Sequence, residues 1–248
     1  MKRNSDVSTE LNLENLKELA STYVDCLQNK PTPASSFISK MMRIEYELDK
    51  NDDRLFAIYL KLCGNNHHLD AIQLTSVDLP PLCMALSLKP CITMLDLRYN
   101  FIKDEGVEIL CEFLNVDNLL EELNLMCNDI TEKGAQFLAN SLKVILAVQF
   151  CELKGPGLCA LAESLITNLT LECIYIWGNE HEESACKAFA NLICINRLLE
   201  NCTDIRPYIV DGRTYLAYLP HDCTYRQYRF SVPWWKFQAP TDRSIALS

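Results

Sequence analysis

Apolar positions along this chain keep two rhythms in alternation. In "ITMLDLRYNFIKDEGVEILCEFL", Leu95 and Leu97 stand two apart, while Leu110 and Leu114 stand four apart. The first spacing puts both side chains on one side of a short strand; the second puts them on one face of a helix. The phrase then returns. Ile92, Leu95, Leu97, Asn100, Ile102, Gly106, Leu110 and Leu114 recur as Leu120, Leu123, Leu125, Asn128, Ile130, Gly134, Leu138 and Leu142, every offset being 28. A fixed period of this length predicts stacked strand-helix units, each burying its apolar side against the next. Identical units stack with their strands parallel. The fold class expected is therefore α/β: a short curved horseshoe, with parallel strands inside and helices outside.

The polar letters kept by the repetition have their own reasons. Asn100 and Asn128 stand where the chain leaves the strand, where an amide can satisfy backbone groups that the turn would otherwise bury unpaired. Gly106 and Gly134 let the helix lie close to that turn. Two further units follow. Counting back from Gly157 starts one at Lys143, with Leu146, Val148, Cys151 and Leu153, so that Cys stands in place of Asn. It begins 23 residues after Leu120, and the five residues matching "NVDNL" are missing, which predicts a tight turn from the preceding helix into the strand. The next begins at Leu171, with Ile174, Ile176 and Asn179. Upstream, "AIYLKLCGNN" offers Leu60, Leu62 and Asn65 in the same spacing, followed by an insertion around "HHLDAIQLTSVDLPPL". About five units are expected between Ala57 and Leu198.

A stack of repeats needs covers at its ends. Leu13, Leu16, Ala20, Tyr23, Val24 and Leu27 stand at helical spacing and stop before "PTP", and a second helical segment lies around "FISKMMRIEYEL". At the other end, Cys186, Phe189, Ala190 and Ile193 continue the last helix. The stretch "RPYIVDGRTYLAYL" then reads as a β-hairpin turning at Asp211-Gly212. The aromatic tail "CTYRQYRFSVPWWKFQAP" is expected either to close the edge of the sheet or to dock elsewhere. The organisation expected is a helical cap over 1–54, repeats over 55–198, and hairpin with tail over 199–248.

Composition narrows the classes. The formal net charge of −10, with no cluster of Lys or Arg, argues against nucleic acid as a partner. No apolar run approaches the length of a membrane span, and none follows the N-terminal basic pair as a signal peptide requires. Thirteen cysteines, an odd number set inside apolar patterns without C-x-x-C pairs, suit a reducing, intracellular setting.

Candidate chemistry is sparse. His67 and His68, with Cys63 and Asp70, lie in the inserted loop and invite a metal, but a solvated loop explains them better because no second ligand pair is in view. Cys186, Cys194 and Cys202 recur every eight residues; the first two are expected to share a buried helix face, with no activating base. The "GPG" at Gly155 reads as a repeat turn. No catalytic residues, metal, cofactor or small-molecule substrate are expected. Binding is better placed. Residues between and just after the strand leucines point to the concave face, and they include Asp96, Arg98, Tyr99, Glu122, Met126, Gln149, Phe150, Tyr175 and Trp177. Aromatic, Met and Arg side chains are those enriched in interface cores, so this strip is the expected site for a protein partner. The competing expectation is that hairpin or tail folds over Tyr175 and Trp177. Leu97→Ala and Leu125→Ala are expected to cost about 2–5 kcal/mol, and Arg98→Ala to be nearly silent.

The spacing "LDLRYNxI…G…L" resembles the ribonuclease-inhibitor class of leucine-rich repeats. In the last third, "CIYIWGN" followed by "TDIRPYIVDGRTYLAYL" resembles one branch of that class in particular. The resemblance covers roughly residues 55–220. It implies a leucine-rich-repeat solenoid and a non-enzymatic scaffold or adaptor of cytoplasm and nucleus, in germ-line or stem-like cells. Three alternatives stay open: a structural part of a ciliary or axonemal assembly, a regulator of a small GTPase, and a nuclease inhibitor using the acidic positions Asp96 and Glu122.

Overall fold

A computed structural model of the chain describes residues 4–44, 59–65, 71–116, 119–141, 145–168, 170–171 and 173–219. Helices α1 (Asn4–Cys26) and α2 (Ser35–Ile44) open the fold. Five short strands follow: β1 (Tyr59–Lys61), β2 (Met94–Asp96), β3 (Glu122–Asn124), β4 (Ile145–Ala147) and β5 (Ile174–Tyr175). A helix follows each in turn: α3 (Leu79–Leu88), α4 (Lys103–Leu114), α5 (Glu132–Ser141), α6 (Gly155–Thr167) and α7 (Glu183–Cys194). A hairpin of β6 (Ile205–Val210) and β7 (Arg213–Tyr218) closes the described chain.

The five strands pair parallel in the order β1-β2-β3-β4-β5. Leu60, Leu95, Leu123 and Leu146 fall in one register line, and the second leucine of each pair forms another with Leu62, Leu97, Leu125 and Val148. All eight are at most 1% exposed and join the inner faces of the helices in one continuous core. The α/β horseshoe expected from the periodicity is the fold the chain adopts.

The joints between units show why the polar letters repeat. Asn100 donates its amide to the carbonyls of Leu62 (2.8 Å) and Leu97 (2.7 Å), and its Oδ1 accepts from the Leu74 amide at 2.8 Å. Asn128 donates to Leu97 and Leu125, and Asn179 to Val148 and Ile176. Where Cys151 replaces Asn, its thiol donates to the Leu125 carbonyl at 3.0 Å. These bonds lie out of water, where an unpaired group would cost about 1–3 kcal/mol. A Cβ on Gly106 would sit 2.9 Å from Leu79 Cδ1, so only glycine lets α4 approach α3 this closely. Helix α5 spans 10 residues against the 12 of α4, which is how the chain absorbs its five missing residues.

Several expectations need correction. Val24 is 46% exposed rather than packed, because α1 buries Leu16, Leu19, Ala20 and Tyr23 instead. Asn65 is exposed, and the ladder of asparagines begins at Asn100. Cys194 is exposed at the end of α7 while Cys186 is buried, so the two do not share a buried face. The "GPG" stretch is the first turn of α6, with Pro156 where a helix tolerates it. Asp211 (φ 49°) and Gly212 (φ 77°) make the hairpin turn with both residues left-handed, as this dipeptide predicts. Ile205 and Leu216 drop into the main core, so one face of the hairpin covers the end of the stack. Among the described residues no helix is long and apolar enough to cross a membrane.

Candidate functional site

The strip chosen from the sequence divides in two. Asp96, Glu122, Gln149 and Tyr175 lie on or beside the open side of the sheet but are 1%, 1%, 8% and 4% exposed, and Arg98 is 6% exposed. They were expected to be free for a partner; the structure buries them. Tyr99, Met126 and Trp177 are half-buried, and Phe150 alone of the nine is fully open, at 49%.

Arg98 is not a surface cation. Its Nε lies 3.1 Å from Asp96 Oδ2, the Cys63 thiol donates to that same oxygen at 3.0 Å, and the Arg98 amide donates to Asp96 Oδ1 at 3.2 Å. Burial pushes the Asp96 carboxyl above the usual carboxylate range, and Arg98 opposes that shift. Burial likewise pushes the Cys63 thiol far up, which removes it as a nucleophile. This closed trio is structural. Truncating Arg98 would leave a buried carboxylate without its cation, so the expectation of a silent Arg98→Ala is wrong.

The remaining members sit on a rim, one per unit, where each strand turns toward its helix. Tyr99, Cys127, Phe150 and Gly178 occupy equivalent positions, and all four are left-handed, with φ of 59°, 56°, 51° and 81°. Each of the first three donates its amide to the next unit: Tyr99 to the Met126 carbonyl, Cys127 to Gln149, Phe150 to Trp177. Those bonds hold the turn and lift the side chain off the sheet. The Phe150 ring lies against Gly178, where a Cβ would meet it directly. Trp177 packs on Tyr218 of the hairpin at 5.4 Å and on His181 at 5.7 Å, so the hairpin half-covers it, in line with the competing expectation for that residue. His181 is held below its ordinary range by burial.

Two features escaped the sequence reading. Asp204, fully buried, accepts from the Ile176 amide at 2.9 Å, the Trp177 amide at 3.2 Å and Gln149 Nε2 at 2.8 Å. It stands where the next unit's backbone would be. Its only sequence signal is a lone acid before the first hairpin strand. The second feature is the outer hairpin face, which exposes Tyr208, Ile209, Val210, Tyr215 and Tyr218 between 40% and 73%, with Tyr208 and Tyr215 stacked at 5.6 Å. The run "YIV" without alternating polar residues was the available sign.

Chemistry has little to work with here. Among the described residues no three His, Cys, Asp or Glu side chains group to hold a metal ion; His67, His68 and Asp70 lie outside the described residues, as does the aromatic tail. Burial raises the thiols of Cys83 and Cys151 to about 12. A groove of about 460 Å³ between α1 and α2 touches none of the rim residues.

Parallel strands in register, an asparagine ladder and a helix behind each strand make this chain a leucine-rich-repeat protein. The Leucine Rich repeat family model matches residues 89–111 and 116–139, the two units that repeat at 28. Among its relatives, leucine-rich repeat-containing protein 34 of Rattus norvegicus is 36% identical over 151 residues, covering 47% of this chain and 36% of that protein. The Homo sapiens protein of the same name is 36% identical over 162 residues, covering 51% and 35%. Ribonuclease inhibitor of Mus musculus is 32% identical over 142 residues, covering 52% and 29%. The chain thus spans 36% or less of the length of these curated relatives.

Proposed function

We propose that this chain is a non-enzymatic protein-interaction scaffold whose contact surface is the rim of Tyr99, Met126, Phe150 and Trp177, continued by the outer hairpin face. The observation that carries the reading is the left-handed row. A non-glycine residue there costs roughly 1–2 kcal/mol, yet glycine fills one of the four positions and Tyr99 and Phe150 fill two others. Side chains kept in a conformation that glycine would adopt freely point to a use for the side chain. Aromatic rings on a rigid backbone are suited to anchoring protein partners. Repeats supply geometry and the rim supplies identity. The free cysteines of the described residues suit a reducing setting, in cytoplasm or nucleus.

The test replaces Tyr99 and Phe150 by glycine, which removes the rings and releases the strain together. Proximity labelling and pull-down from germ-line and ciliated cells then compare wild type with the double variant. Loss of specific partners from a variant that melts like wild type supports the rim. An unchanged partner list rejects it.

A further inference from the structure

The strand side chains that point away from the helices form buried clusters separate from the main core. Ile145, Ala147, Cys173 and Tyr175 make one and Tyr59 with Met94 another, none more than 8% exposed. Glu122 stands between them in register with Met94 on one side and Ile145 on the other, and is 1% exposed. Strands about 4.8 Å apart hide the flanks of such side chains but not their ends. A layer has to lie over this face. No described helix or strand supplies it: α3 to α7 pack on one another behind the sheet, the hairpin packs on α7, and α1 and α2 stand against α3 and β1.

We propose that this layer is the chain's own C-terminal segment, residues 220–248, seated across the open face from β5 toward β1. Three observations select this occupant over a second copy or another protein. The segment starts where it must: β7 ends at Tyr218, whose ring touches Trp177 beside β5, and the Leu219 amide donates to the Asp204 carbonyl at the edge of the sheet. Its length suffices, because five strands span roughly 20 Å whereas 29 residues extended reach roughly 95 Å. Its chemistry fits the floor. Tyr225, Tyr228, Phe230, Trp234, Trp235 and Phe237 match a floor of Met94, Ile145 and Tyr175. The segment carries four cations against two acids on a chain of net charge −10, and Glu122 is a buried carboxylate at the centre of that floor. A carboxylate withdrawn from water is stable as an anion beside a cation or a donor, and Arg226, Arg229 and Lys236 bring such groups. The inference does not rest on the rim reading, since the rim lies outside the seat.

Hydroxyl-radical footprinting of the full chain tests it, with Met94 and Tyr175 reporting the face and Phe189 reporting the core behind the sheet. The wild type is compared with a full-length variant carrying Phe230→Ser, Trp234→Ser, Trp235→Ser and Phe237→Ser. Labelling of Met94 and Tyr175 is expected to rise several-fold in the variant while Phe189 stays protected. Unchanged protection of Met94 and Tyr175 overturns the proposal, and so does wild-type protection that falls on dilution, which identifies a second copy as the cover. If Phe189 is also labelled in the variant, the full chain with Trp177→Phe decides, since its emission comes from Trp234 and Trp235 alone. Blue-shifted emission that resists acrylamide supports the seat; emission like that of free tryptophan in water rules it out.

Discussion

Inside the solenoid and at its last strand, the same backbone amides are satisfied by different chemistry. The amides of Leu62, Leu97, Leu125 and Val148 each donate to a carbonyl of the following unit, those of Asp96, Asn124, Ala147 and Tyr175. The fifth member of that series, Ile176, has no following unit and donates to the Asp204 carboxylate instead. An interior joint is thus built by repetition itself. An end needs a side chain that imitates a strand, and that substitute brings a buried charge. Burial lifts the Asp204 carboxyl above its ordinary range, while the amides of Ile176 and Trp177 and the side chain of Gln149 pull it back.

The sharpest way to break an interior joint is Leu125→Ala. It opens a cavity under two neighbouring units and is expected to cost about 2–5 kcal/mol in urea melts; a cost under about 1 kcal/mol would place Leu125 at the surface. At the edge, Asp204→Ala removes the acceptor for three donors at once, and a loss of about 3 kcal/mol is expected. Asp204→Asn keeps one acceptor oxygen and should lose less. The two Asp204 variants also separate by pH. The folded state favours the protonated acid, so stability from this group is fully present below the unfolded value of about 4 and falls away as pH rises through the raised folded value. The amide has no such term. The stability of Asp204→Asn relative to wild type should therefore rise with pH across that window, and a constant difference would show that Asp204 does not titrate there.

The interior joint with sulfur in place of an amide gives a smaller test. Cys151→Asn restores donors to the carbonyls of Leu125 and Val148, as Asn128 and Asn179 do in their units. It is expected to stabilise by about 1 kcal/mol. A destabilised variant would mean that the shortened unit beside it has closed the pocket to an amide.

How much could be read beforehand follows from the same comparison. Leu95, Leu97, Asn100 and Gly106 declared themselves because each has a counterpart 28 residues on, and periodicity carries the interior of a stack. Asp204 has no counterpart, since an end occurs once. The open face misled for a different reason. Alternation along a strand tells which side a residue faces, and Asp96, Glu122 and Tyr175 do face away from the helices. It says nothing about what another part of the chain lays over that side. Arg98 likewise read as a cation for a partner because its acid, two residues back, looked like a second free position rather than its mate.

The smallest effect expected, and the most informative for the rim, belongs to Phe150→Gly. Two terms of similar size oppose each other: glycine frees the unfolded chain at a cost of about 0.5–1 kcal/mol, and it relieves a left-handed phenylalanine strained by about 1–2 kcal/mol. The net change should lie within about 1 kcal/mol of zero or favour the variant. The neighbouring unit already makes this choice with Gly178, whose missing Cβ leaves room for the Phe150 ring. Gly178→Ala should therefore destabilise the wild type twice over, through its φ of 81° and through the clash with that ring. In the Phe150→Gly background only the backbone strain remains, so the same substitution should cost less. Equal costs in the two backgrounds would mean that Phe150 does not rest on Gly178, and the rim would lose the ring position on which its role in binding depends.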